Sequence, residues 1–204
     1  MTERKYKSGT EITWEDGITR LVMTDKELRA EVYSLRKDGM PLNFQRIHIE
    51  GEDLSEMDLS GIDLTESMFG GTLGASDLTR AVLNGVNFYG AQLRKAVLKE
   101  TNLKGAVLAH ADLSDAYLGY ATMMRADLSG AVLKRANLEY ANLNEADFDD
   151  ADMAEAILKS TFLKGVRGLR KCDGLRTVVL MGPTVSREEM EIIEAARKGY
   201  RLVD

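Results

Sequence analysis

The chain has 204 residues, 44% of them hydrophobic, with a formal net charge of −6 and one cysteine. That composition suits one large domain or two small ones around a real core. It rules out an internal disulfide and holds no apolar run near the roughly 20 residues that span a bilayer. The opening MTERKYKSGTE has no apolar stretch that would act as a secretory signal, so a cytoplasmic protein is expected. Cys172, His48 and His110 have no neighbours at metal-ligand spacing, and no cofactor is expected.

Taken in chain order, EITW at 11–14 and TRLVM at 19–23, separated by EDG, read as a hairpin. TDKE at 24–27 is a capping box, after which Leu28, Val32 and Leu35 recur at helical spacing until Gly39 and Pro41 stop the helix. Residues 1–41 are thus expected to form a hairpin and a capping helix.

From residue 42 the period changes. Apolar centres run at five-residue steps from Phe44 through Ile49, Leu54, Leu59 and Leu64 to Phe69, then from Leu73 to Leu163. The residue two before each centre is mostly small, usually alanine. Side chains two apart on an extended chain point the same way, so each pair can share an interior. The next small residue is three further on, which in a straight strand would face outward. The chain must therefore turn a corner in every pentad and wind a solenoid, each coil stabilised by stacking on its neighbours.

ADLSD at 111–115, ADLSG at 126–130, ANLEY at 136–140 and ANLNE at 141–145 follow A(D/N)LXX fully. Over residues 42–165 the sequence resembles the pentapeptide repeat family. The resemblance implies an all-β solenoid: a right-handed quadrilateral β-helix with four pentads per turn, about six turns, and a length of roughly 29 Å at the usual strand spacing. The step from Phe69 to Leu73, within SMFGGTL, is one residue short. If the order of sides continues through it, Ile49, Phe69, Phe88, Leu108, Leu128 and Phe148 share one side. Leu54, Leu73, Leu93, Leu113, Leu133 and Met153 share a second. Leu59, Leu78, Leu98, Leu118, Leu138 and Leu158 share a third.

Residues 166–204 are expected to cap the last turn. LRTVVLM at 175–181 reads as a strand, GPT as a turn and SREE at 186–189 as a second capping box. Met190, Ile193 and Arg197 then lie along one helical face, with Ile192 adjoining. Met190, Ile192 and Ile193 either seal the shaft or form a homodimer contact, the latter because some family members dimerise through their C-terminal ends.

A filled shaft leaves function to its outer walls. On the wall centred on Leu93 the charges alternate from coil to coil: Arg94 and Lys95, then Asp112 and Asp115, then Lys134 and Arg135, then Asp152 and Glu155. Opposite charges on adjacent strands contribute about 0.2–1 kcal/mol each, so this wall reads as an ion ladder. The wall centred on Leu98 presents Val97, Tyr117, Tyr120, Tyr140 and Ile157, a candidate partner-binding patch because tyrosine gives a large contact area at little entropic loss. Asp127, Glu145, Asp147, Asp149, Asp150 and Asp152 form a candidate acidic patch. No Ser–His, Cys–His or His–carboxylate pairing suggests an enzyme.

The leading expectation is a non-enzymatic protein-binding or structural solenoid whose rigid faces meet a protein partner. The alternative is an acidic DNA mimic that binds and inhibits or protects a DNA-handling enzyme, since certain family members bind DNA gyrase. Residues 42–165 carry 19 acids and 11 bases, an excess of −8, which disfavours direct nucleic-acid binding. Yet residues 80–104 hold five bases and one acid, which interrupts the continuous negative track a duplex mimic needs.

Overall fold

The structure, a computed structural model, describes residues 10–13, 19–49, 59, 62, 64, 68–69, 77–179 and 187–198. Strands β1 (Thr10–Thr13) and β2 (Thr19–Val22) form the expected hairpin, with Thr10 opposite Val22 and Thr13 opposite Thr19. β2 lies parallel to β3 (Ile47–Ile49), which lies parallel to β4 (Met68–Phe69). The hairpin therefore pairs with the first coil on one side, where a strand edge would otherwise invite another chain.

Between hairpin and coil runs α1 (Asp25–Lys37). The Glu27 N–H donates to the Thr24 hydroxyl (3.3 Å), and the Glu27 carboxylate accepts from the Thr24 N–H (2.9 Å), the two halves of the predicted capping box. At the other end Gly39 adopts φ 64, and the Met40 N–H reaches back to the Leu35 carbonyl (2.9 Å). That left-handed stop satisfies carbonyls the helix leaves open. Leu28, Val32 and Leu35 are buried in one cluster with Phe44 and Ile47 of the first coil.

From Asp77 the unit is the pentad. The Ala81 N–H donates to the Leu78 carbonyl (2.9 Å), closing a turn whose third residue, Arg80, has φ 57. The next corners fall at Gly85, Gly90 and Lys95, and the fifth, Glu100, stands above Arg80. Parallel bridges join Asp77 to Val97, Val82 to Asn102, Asn87 to Val107 and Gln92 to Asp112. Each coil is thus 20 residues with four sides, a β-helix.

The sequence letters now have physical roles. Alanine and the apolar centre line the interior: Ala126, Leu128, Ala131 and Leu133 are each at most 1% exposed. Burying one leucine or similar apolar centre contributes about 1.5–3 kcal/mol, and each coil from Leu78 to Leu158 has four such centres. The Asp or Asn between them secures the corner. Asp127 Oδ1 accepts the Ser129 N–H (3.0 Å) and hydroxyl (2.6 Å), and Asn137 Oδ1 accepts the Glu139 N–H (2.9 Å). These bonds help hold the next residue left-handed, a conformation that costs an L-residue about 1–2 kcal/mol.

The short step after Phe69 differs from expectation. The Leu59 N–H donates to the Val82 carbonyl and the Leu64 N–H to the Asn87 carbonyl, both at 2.8 Å. In later coils the same bond, Leu78 to Val97, links centres 20 apart, so Leu59 stands under Leu83 and Leu64 under Phe88, each 24 apart. The chain has not lost a residue from a side; it has gained four within one turn. Since β3 and β4 still pair 20 apart, with Ile49 opposite Phe69, the surplus falls between Phe69 and Asp77. Leu59 accordingly leaves the tyrosine wall, and Leu64 rather than Phe69 underlies Phe88. Leu54 and Leu73 lie outside the described residues.

The ladder also continues past residue 165. Asp147 bridges Arg167, Asp152 bridges Asp173 and Ile157 bridges Val179. The spacing widens from 20 to 21 and 22 because a 3-10 turn (Leu169–Lys171) and a turn over residues 174–177 lengthen two corners. The strand expected at 175–181 reduces to the Val179 bridge, with Leu180 and Met181 outside the described residues. Helix α2 (Arg187–Arg197) packs on the 3-10 turn. Ser186, which would complete its capping box, is outside the described residues.

Candidate partner-binding wall

Asp77, Val97, Tyr117, Asn137, Ile157 and Val179 form one unbroken column of bridges. Three residues after each strand comes the corner, so Glu100, Tyr120, Tyr140 and Ser160 make a second column along the wall's edge. The Tyr120 and Tyr140 rings stack with centroids 4.8 Å apart and planes 9° from parallel. They remain 52% and 40% exposed. Fixed left-handed backbone (φ 62 and 58) holds both rings outward, so their exposure is built in. Tyr117 lies across Gly119, where a Cβ would come within 3.1 Å of the ring.

All five residues expected for the patch, Val97, Tyr117, Tyr120, Tyr140 and Ile157, are therefore on one wall. Sequence reasoning missed Val179 and Phe162, 44% and 41% exposed. Phe162 belongs to the adjoining wall, above Asn142, two residues beyond the Ser160 corner. Its signal was a phenylalanine where the repeat prefers Asp or Asn. Three bases and two acids flank the wall: Glu100 is shared by Arg80 (2.8 Å) and Lys99 (3.5 Å), and Lys159 meets Glu139 (3.7 Å).

The ion ladder forms as expected. Arg94 meets Asp112 (3.3 Å) and Asp115 (3.8 Å), Arg135 holds both oxygens of Asp115 (2.7 and 2.9 Å), and Lys134 meets Asp152 (3.0 Å). The hydrogen bonds from Arg135 hold the Asp115 carboxyl below its usual range, aided by the charges of Arg135, Arg94 and Lys95. Arg80 does the same to Glu100, and Arg125 to Glu145.

The acidic patch is different from its appearance in sequence. Glu145 pairs with Arg125 (2.7 Å), Asp147 with Arg167 (3.0 Å), Asp149 with Lys171 (2.9 Å) and Asp152 with Lys134. Asp127 clamps its own corner through Ser129. Asp150 sits exposed at a left-handed corner. Most of this charge is matched within the chain, and no group of three potential metal ligands is assembled among the described residues.

At the C-terminal end Ile193 is fully buried and Ile192 is 8% exposed, both within the main core cluster, while Met190 is half-buried. An open depression of about 240 Å³ lies there, lined in part by Asp149, Gly168, Lys171, Glu188 and Ile192. Cys172 is buried nearby, and its thiol is pushed up to about 12 by desolvation and by the charges of Asp173 and Asp152. Among the described residues no helix is long and apolar enough to cross a membrane.

The pentapeptide repeats family model matches eight copies, over residues 70–99, 91–130 and 131–167. No curated protein matches the chain. Among solved structures, a pentapeptide repeat protein from Nostoc Pcc 7120 is 26% identical over 60% of this chain and 78% of its own, with a TM-score of 0.41. One from the Arabidopsis thaliana thylakoid lumen is 29% identical over 55% and 68%, with a TM-score of 0.28. QnrB1, a plasmid-mediated fluoroquinolone resistance protein, is 17% identical over 79% and 90%, with a TM-score of 0.30. By this match, and by the 20-residue coil they build, residues 70–167 are pentapeptide repeats.

Proposed function

We propose that the protein is a non-enzymatic, protein-binding solenoid of about six turns, capped by α1 and α2, and that the tyrosine wall is its binding face. One observation carries the reading: Tyr120 and Tyr140 stack on each other while staying 52% and 40% exposed, on a wall that also presents Tyr117, Val97 and Ile157. Rigid aromatic side chains already held in one geometry lose little entropy when a partner covers them. Ile193 and Ile192 are buried against the core, which favours the sealing role for that segment over a dimer contact.

The DNA-mimic reading has less support. A mimic needs acids presented to a partner, whereas Glu145, Asp147, Asp149 and Asp152 are paired with bases of the same chain. We expect no effect of saturating protein in a gyrase supercoiling assay; inhibition or protection there would restore that reading. The wall is tested by Tyr117→Ser combined with Tyr140→Ser. Both side chains are at the surface, so the fold is expected to persist while association seen by pull-down from the native cell is lost. Unchanged association by a folded variant would remove the wall as the binding face.

A further inference from the structure

The corner column of the tyrosine wall runs Arg80, Glu100, Tyr120, Tyr140 and Ser160, each left-handed at φ 52–62. Its two ends differ. Below Tyr120 stands Glu100, held by Arg80 (2.8 Å) and Lys99 (3.5 Å), so the lower end of the ring stack meets an ion pair. Above Tyr140 stands Ser160, whose side chain is too short to cover a ring. Among the described residues Tyr140 has no aromatic neighbour but Tyr120, so one of its faces is used and the other looks toward the open corner over Ser160. Apolar groups surround that corner: Ile157 three residues before it, Val179 above Ile157 and Phe162 two residues after it, the last two well exposed.

The charge around this corner leans one way. From Ala156 to Lys171 the coil that carries it has five bases and no acid. Three of these bases meet acids of the coil below: Lys159 with Glu139 (3.7 Å), Arg167 with Asp147 (3.0 Å) and Lys171 with Asp149 (2.9 Å). Lys164, two residues beyond Phe162, forms no ion pair among the described residues, and Glu145, which its charge reaches, is already held by Arg125 (2.7 Å). At the wall's opposite edge Glu155 lies against the 174–177 turn, which carries Arg176. Counting Arg125, Lys159, Lys164 and Arg176 against Glu139, Glu145 and Glu155 leaves one base in excess. Lys164, beside the apolar groups, accepts a partner's carboxylate without displacing an existing pair.

Resting on the wall as the binding face, we propose that the partner presents an acidic segment bearing an aromatic side chain, whose ring seats on Tyr140 over Ser160 while a neighbouring carboxylate meets Lys164. The ring extends the stack of Tyr120 and Tyr140 and is flanked by Ile157 and Phe162, the arrangement of an aromatic anchor in an apolar recess. A nucleobase would also stack, but a nucleic-acid strand needs a track of bases for its phosphates. Down the column from Lys164 come Asn144, Met124 and only then Lys104, with Glu139 and Glu145 close by. Those carboxylates repel phosphates and accept peptide N–H groups, which favours a protein segment.

The test is fluorescence anisotropy of a labelled random copolymer of glutamate and tyrosine titrated with the full chain, with circular dichroism to confirm folding. The wild type binds it, binds poly-glutamate about tenfold more weakly for want of a ring to stack, and does not bind a copolymer of lysine and tyrosine. Ser160→Tyr sets the chain's own ring over Tyr140, at a corner like those where Tyr120 and Tyr140 carry rings at φ 62 and 58. It weakens binding about tenfold although it adds an aromatic side chain. Lys164→Glu also weakens binding, whereas Lys104→Glu, the same change lower in the same column, leaves it unchanged. The proposal is overturned by a wild type that does not bind the copolymer, by equal or tighter binding with Ser160→Tyr, by equal losses in the two lysine variants, or by tighter binding of single-stranded oligothymidylate than of the copolymer. The pull-down separates it from the reading it rests on. Association kept by Ser160→Tyr but lost with Tyr117→Ser plus Tyr140→Ser leaves the wall as the binding face with a different occupant; association kept by the tyrosine pair removes both.

Discussion

Replacing Gly168 by alanine should damage this protein far more than replacing Gly105, although both glycines are left-handed, at φ 77 and 65. A Cβ on Gly105 meets nothing within 4 Å. Its corner is geometrically like those of Arg80, Tyr120 and Arg135, which carry side chains at φ 56–62. Gly105→Ala should therefore cost about 1 kcal/mol, the ordinary left-handed penalty of an L-residue. A Cβ on Gly168 would lie 2.1 Å from the Asp149 nitrogen and 2.6 Å from the Asp149 Cα and the Phe148 carbonyl carbon. Those are backbone atoms of the coil below, and no rotamer can move them aside. Relief requires lifting the last coil, which breaks the Phe148 N–H bond to the Arg167 carbonyl (3.0 Å). Adding an overpacking term of about 1–3 kcal/mol and a lost hydrogen bond of about 1 to the left-handed penalty gives roughly 3–5 kcal/mol. Solenoid coils lean only on their neighbours, so the loss should be local to the C-terminal end. Urea unfolding with limited proteolysis would show early cleavage around α2 in Gly168→Ala and not in Gly105→Ala. Equal destabilisation of the two variants would refute the close-approach argument.

Three further outcomes follow from particular contacts. The Asp115 carboxyl should titrate below an ordinary aspartate in an NMR pH series, because Arg135 stabilises its charged form. A carboxyl depressed in the folded state supports folding above the unfolded pKa and loses that support as pH falls through the folded one; Arg135→Gln should raise the Asp115 midpoint and flatten that acid limb. Cys172, buried and raised to about 12, should react with a disulfide reagent at pH 8 only as fast as the last coil opens, whereas thiol modification at the rate of a free peptide would contradict its burial. Thr24→Ala should lower stability by about 1 kcal/mol in denaturant unfolding through loss of the cap on α1, and an unchanged midpoint would mean that α1 contributes nothing to the cooperative unit.

Legibility followed how local each cause is. The pentad period could be read directly, since the five-residue repeat specifies one corner and two inward side chains every time, and Ala126, Leu128 and their equivalents are buried as expected. The capping box of α1 and the β1–β2 hairpin were equally local. The slip near Phe69 was not, because a four-residue step fits both a shortened side and an extra four residues in one turn; only the bond from Leu59 to Val82 distinguishes them. The far end was obscure for a related reason. Gly168 and Gly174 replace apolar centres with left-handed glycines pressed on the coil beneath, so the ladder persists after the apolar period has faded. In the candidate site, the five wall residues followed from counting by 20. Phe162 did not, because it lies on the next wall.

The acidic character of the shaft illustrates how a global quantity can mislead about a surface. The −8 excess of residues 42–165 suggests a molecule prepared for a cationic partner. Residue by residue, much of that charge already has a structural task. Asp77, Asp112, Asp127, Asp147 and Asp152 each accept a backbone N–H two residues on, securing a corner. Asp115, Glu100 and Glu145 stand above or below an arginine one coil away, at 2.7–2.8 Å. In the column of Lys95, Asp115, Arg135 and Glu155 a slip of one coil would set like charges over one another, so that column also holds the register against alternatives of nearly identical backbone energy. In the corner column that begins with Arg80 and Glu100, the charges give way to Tyr120 and Tyr140, whose stacking replaces the ion pair as the vertical contact. Stacked rings hold register without a counter-charge, and their edges and hydroxyls stay open to a partner. That substitution, rather than the net charge, is the feature of this shaft best suited to recognition.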